Sequence, residues 1–169
     1  MKIRLFILLS SLFIFSFAQK KYPKPDKTPQ LLFYIQHNLN RNTYIYEINL
    51  DKGQLSTIDP IKVSRIVYEE KGQKEPLTLI QRKYAYGVNY ITNDKRQFNL
   101  SASKKIPMHL KTKDGKHWIE IEVNDKKITL EKIFIQSDKN SKGLNTKIES
   151  IILEGKDAKG NLIQEKFIP

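Results

Sequence analysis

Asp114-Gly115 constrains the fold of this chain more than any other feature, because a tight turn there fixes the register of both flanking segments. A type I′ turn needs positive φ at its two central residues, and Asp-Gly accepts that at little cost. With the turn in place, Leu110 lies opposite Ile119, Met108 opposite Ile121 and Ile106 opposite Val123, so one face is wholly apolar. The other face pairs Lys105 with Asn124, His109 with Glu120 and Lys111 with Trp118. Turn chemistry and apolar pattern agree, which is the useful test of a register. Asn124-Asp125 supplies a second tight turn, which sets Ile128 and Leu130 beside Ile121 and Ile119 and extends the apolar face into a third strand.

The rest of the chain follows the same alternation. Ile, Val, Thr, Tyr and Phe recur in short runs, while alanine occurs after residue 18 only at positions 85, 102 and 158. That choice suits a pleated, half-buried surface better than a helix. Strands are expected at 31–36, 43–49, 62–68, 87–92, 96–102, 106–111, 117–123, 127–136, 147–154 and 162–168, the last two joined through Asp157-Ala158-Lys159-Gly160. One short helix is expected at about 76–85. Pro76 suits a first helical position, Leu77, Ile80 and Tyr84 share a face, and Gly87 follows the end. The fold class is therefore all-β: an antiparallel β-barrel or β-sandwich with one short helix packed across it.

Residues 1–18, MKIRLFILLSSLFIFSFA, have the layout of a secretory signal: Lys2 and Arg4, an apolar run, then small residues before Gln19. The run is too short for a comfortable membrane span. Cleavage is expected near Ala18-Gln19, which gives a secreted or periplasmic protein with no stable membrane insertion. Residues 19–30 hold three prolines and four lysines and read as a flexible leader, and 31–169 as a single domain. There is no cysteine, so the fold has no disulfide, and the expected mature chain has no lipid-anchor cysteine. The formal charge of +12 falls to +10 once Lys2 and Arg4 are removed. This excess is lysine spread along the chain, without the charged blocks or context of a nucleic-acid binder.

No nucleophile elbow, zinc-helix, Walker or dinucleotide glycine motif is present, so no catalytic residue, metal or cofactor is expected. His109 opposite Glu120 has the chemistry of a general-base pair, but reads first as a solvent-facing cross-strand pair. Trp118 opposite Lys111 reads similarly. The block from His37 to Asn49 is more unusual. Asn38, Asn40 and Asn42 suit a loop, and Tyr44, Glu47 and Asn49 lie on the strand that follows. Together with Arg82 and Tyr86 from the helical segment, they form the candidate ligand-binding set. The same residues can equally satisfy buried backbone at a barrel end, and Arg82 can pair with Glu47, meet an anionic ligand or simply clamp the helix to the sheet.

The pattern Asn38-x-Asn40-x-Asn42-Thr43, Tyr46-Glu47-x-Asn49, Pro60, Leu77-Thr78, Arg82, Ala85-Tyr86-Gly87 and Ile152-x-x-Gly155 resembles an uncharacterised family of secreted bacterial proteins, domain of unknown function 4833. The resemblance covers most of 31–169. It implies export and an all-β domain and supplies no activity. The expected function is non-catalytic binding of a small molecule, a glycan or an envelope partner. Alternatives are a structural or assembly protein of the envelope and, behind it, a hydrolase.

Overall fold

Both tight turns form with the geometry their residues favour. Asp114 and Gly115 sit at φ 50° and 70°, and Asn124 and Asp125 at 52° and 59°. The computed structural model describes residues 22–70, 72–141 and 146–169. The expected signal, 1–18, lies outside the described residues. Strand β9 (Ser103–Lys113), β10 (Lys116–Val123) and β11 (Lys126–Ser137) make the anticipated meander, with Leu110 on Ile119, His109 on Glu120 and Ile119 on Leu130.

Before the meander come β1 (Leu31–His37), β2 (Thr43–Ile48), the small ribbon β3 (Leu50–Asp51) and β4 (Gln54–Leu55), then β5 (Ile61–Val67), β6 (Gln73–Pro76), β7 (Val88–Tyr90) and β8 (Gln97–Leu100). After it come β12 (Ile148–Lys156) and β13 (Leu162–Phe167). The architecture turns on β11, which has three partners. Along one edge it pairs with β12 from Thr129 to Ser137. Its other edge is shared: β10 takes residues 126–130, and β1 takes 132–135 in the one parallel pairing among the described residues. The changeover falls at Glu131, where the ladder with β12 also shifts register, as a bulge permits.

Two wings thus leave the same edge of one strand, β1-β2-β5-β6 and β10-β9-β8-β7. They share a single core, in which Phe33, Ile35, Tyr44 and Tyr46 of the first wing meet Phe98, Met108, Leu110 and Ile119 of the second. The result is a sandwich hinged along β11. Among the described residues no strand pairing joins β5 or β6 to β7, so the barrel alternative does not hold.

The leader is tied down where it is described. The Pro23 carbonyl accepts from Gln36 Nε2 (3.2 Å) and from Thr43 Oγ1 (2.6 Å), and the Tyr22 ring meets Phe134 edge-on at 5.8 Å. This covers the outer face of β1–β2, which explains why Thr43 and Ile45 are as buried as Tyr44 and Tyr46 on the core side.

The helix differs from expectation at both ends. Pro76 closes β6 opposite Ser64, and the turn begins at Thr78. The Thr78 hydroxyl accepts from the Gln81 N–H (3.3 Å), and the Gln81 side chain accepts in return from the Thr78 N–H (3.1 Å). This reciprocal cap satisfies two otherwise orphaned donors. One α-turn, α1 (Leu79–Gln81), runs into a π-helical turn at Arg82–Tyr86. Leu77 is buried as expected, but Ile80 and Tyr84 are 63% and 53% exposed, and Leu79 is 83% exposed. Gly87 follows the π-turn at a close approach that only glycine fits, since a Cβ there would lie 1.9 Å from the Arg82 carbonyl oxygen.

Candidate functional site

A cleft of about 660 Å³ opens at the end of the sandwich where β1 and β11 finish and β12 begins. Tyr44 and Tyr86 form its aromatic base, stacked with centroids 3.5 Å apart and planes 14° from parallel. The stack follows from two constraints. Alternation on β2 turns Tyr44 inward, and the π-turn, which links β6 of one wing to β7 of the other, delivers Tyr86. Tyr46, also inward, donates from its hydroxyl to the Tyr86 carbonyl (2.7 Å) and so locks the turn to β2.

His37 completes the base, its ring centroid 6.1 Å from Tyr44 and 6.4 Å from Tyr86, at 19° to each. Its Nδ1 accepts from the Leu39 N–H (3.3 Å), which places the proton of the neutral ring on Nε2. Nε2 is buried and without a partner among the described residues. Burial pushes the imidazole down to about 4, so the ring is neutral at physiological pH. Burial also raises the Tyr86 phenol, and the adjacent Tyr44 hydroxyl raises it further.

The remaining wall is Leu39, Ile80, Tyr84, Ala85, Ile135 and Ile148, with Asn40, Gln81, Ala102, Ser137 and Thr146 at its margins. Among the described residues no Asp, Glu, Lys or Arg lines it, although the chain carries a formal charge of +12. Its described wall therefore offers apolar surface, a few neutral polar groups and no charge to balance an ion.

The eight sequence candidates do not converge there. Tyr44, Tyr86 and Asn40 line the cleft. Asn38 holds the strand ends beside it, donating to the Ser137 carbonyl (2.7 Å) and accepting from the Ser137 N–H (2.9 Å). The Asn40 side chain accepts from the Asn42 N–H (2.8 Å), and Asn42 from the Tyr68 N–H (3.1 Å). Asn49 donates to the Asp59 carbonyl (2.7 Å). These amides complete their own backbone. Glu47 pairs with Lys74 (2.6 Å) rather than with Arg82. Arg82 is exposed and lines a separate groove of about 500 Å³ between β5 and β7, with Lys62, Ser64, Glu75 and Val88.

Sequence reasoning missed His37, Ile80 and Tyr84 as a set. Ile80 and Tyr84 read as an inward helical face, and the Thr78-x-x-Gln81 cap was the local signal that moves the turn by two residues. Elsewhere, His109 and Glu120 are cross-strand neighbours as expected, but Glu120 pairs with Lys111 at 3.7 Å. His117 Nδ1 lies 3.0 Å from Thr112 Oγ1. Among the described residues no cluster of three His, Asp or Glu is placed to hold a metal, and no helix is long and apolar enough to cross a membrane.

A family model described as Domain of unknown function (DUF4833) matches residues 33–166. No curated protein and no solved structure matches the chain.

Proposed function

The chain belongs to the DUF4833 family, whose description names no activity, and from that premise we propose a non-catalytic binding domain that holds an uncharged small molecule in the end cleft. One observation carries the reading. About 660 Å³ of concave, uncharged wall closes on the Tyr44–Tyr86 stack, in the size range of small-molecule sites. A charged ligand there would lose its hydration without gaining a counter-ion. Tyr44 is 2% exposed beneath Tyr86, so its ring is not free to stack on a sugar, which favours a compact apolar ligand over a glycan. The sequence of residues 1–18 supports export as the setting.

The hydrolase alternative needed His37, His109 or His117 to meet carboxylates in a cleft: no described carboxylate lines the wall around His37, and His109 meets Asp94 only in a separate groove of about 330 Å³. A second reading, an assembly module of the cell envelope, draws on β13, which among the described residues pairs with β12 alone and leaves its outer edge open. Native mass spectrometry of protein purified from its own source separates the two. A retained small molecule that is lost in Ala85→Trp, which fills the cleft, supports binding. A protein partner without a small molecule supports assembly.

A further inference from the structure

The mouth of the cleft gathers several exposed apolar side chains on one short turn. Thr78 and Gln81 fix a turn whose next residues are Leu79 and Ile80, 83% and 63% exposed, followed by Tyr84 at 53%. Ile80 and Tyr84 both line the mouth, and Leu79 precedes them on the same short turn. Leu39, 37% exposed, adds apolar surface from the β1–β2 loop. A domain with a well-filled core gains nothing for its own fold by presenting these side chains to water. Contiguous exposed apolar surface with a polar rim marks an interaction site.

The rim is basic. Lys83 lies over the Tyr84 ring at 5.2 Å. The Ala102 N–H donates to the Ala85 carbonyl (3.0 Å) and holds the start of β9 against the turn, which brings exposed Lys104 and Lys105 to the same end. Arg41 follows Asn40 and keeps its guanidinium on Tyr68 (2.6 Å). Asp138 and Glu149 are the acidic residues adjacent in sequence to the wall positions, against Arg41, Arg82, Lys83 and Lys147, so positive charge prevails there.

We infer that this end of the sandwich docks peripherally on an anionic lipid bilayer, with Leu79, Ile80 and Tyr84 entering the headgroup region and Lys83, Lys104 and Lys105 held by lipid phosphates. Apolar insertion and charge attraction add in such binding. The cleft mouth then opens toward the acyl layer, a source of uncharged apolar ligands.

Vesicle flotation tests this with phosphatidylcholine vesicles, alone or with roughly 30% phosphatidylglycerol. The wild type is expected to float with the anionic vesicles and to release in about 0.5 M salt. Leu79→Ser/Ile80→Ser is expected to bind at least about tenfold more weakly with its melting temperature unchanged. Lys83→Glu is expected to weaken binding more than Lys127→Glu, which changes net charge equally at the β10–β11 turn, the other end of β11. No flotation, equal loss in the two lysine variants, or full binding by the double-serine variant overturns the inference. So does protection of Leu79–Tyr84 from hydrogen exchange by a protein partner while anionic vesicles leave it unprotected.

Discussion

Tyr86 lies flat on Tyr44 with ring centroids 3.5 Å apart, although Tyr44 is on β2 and Tyr86 is on the turn that links the two wings of the sandwich. The contact joins the π-turn to β2 and makes the floor of the cleft, so fold and site depend on the same pair. Tyr44→Ala should cost about 3–5 kcal/mol, as for other buried aromatics, and move the cooperative urea transition accordingly. Tyr46→Phe should cost less, about 1–3 kcal/mol, because it leaves the Tyr86 carbonyl without its donor.

His37 gives the protein a pH dependence whose sign follows from burial. The folded imidazole is held down to about 4 against an ordinary value of 6.5, so the unfolded chain binds the proton first. Stability from this group is full above about pH 6.5, declines as pH falls toward 4, and changes no further below that. The total is on the order of 3 kcal/mol. Urea unfolding of the wild type between pH 7 and 4 should show this loss, and His37→Gln should remove that component. An equal slope in both proteins would place the titration elsewhere.

Gly87 is fixed by close approach rather than by a left-handed backbone. Gly87→Ala puts a methyl 1.9 Å from the Arg82 carbonyl and 2.8 Å from Ser101 Oγ, so the π-turn must shift. A loss of more than about 2 kcal/mol is expected, together with altered Tyr86 aromatic signals in NMR spectra. Gly115→Ala meets open space, and its cost should stay near the roughly 1 kcal/mol of a left-handed turn position.

Much of this architecture is legible in the sequence where the determining signals are local. Asp114-Gly115 and Asn124-Asp125 set the meander because a turn and its flanking alternation lie within a few residues of each other. The branch at β11 is not legible, since it depends on Tyr34 lying beside Lys132, a pairing no nearby residue announces. Pro76 misled the helix start because a residue without an N–H suits the end of β6 as well as a first helical turn. The asparagines at 38, 40 and 42 carry two readings for a related reason: amides able to meet a ligand are equally able to bond backbone groups, and here they bond Ser137, Asn42 and Tyr68.

Glu47 and Arg82, which seemed from sequence to be ligand residues, should be dispensable. Glu47→Ala breaks an ion pair with a half-exposed lysine and should change stability by about 1 kcal/mol or less. Arg82→Ala, on the other groove, should leave ligand retention unchanged. Asn38→Ala should matter more, costing about 1–3 kcal/mol through two lost bonds to Ser137. Denaturation midpoints and native mass spectra of the three variants check these outcomes together.

The most direct test of the binding claim is an NMR titration of the isotope-labelled protein with prodan, an uncharged naphthyl ketone. Saturable shifts confined to His37, Tyr44, Ile80, Tyr84, Ala85 and Ile148, and absent in Ala85→Trp, are expected. Shifts that map instead to the groove of Lys62 and Arg82, or that persist unchanged in Ala85→Trp, would contradict the assignment of the end cleft as the binding site.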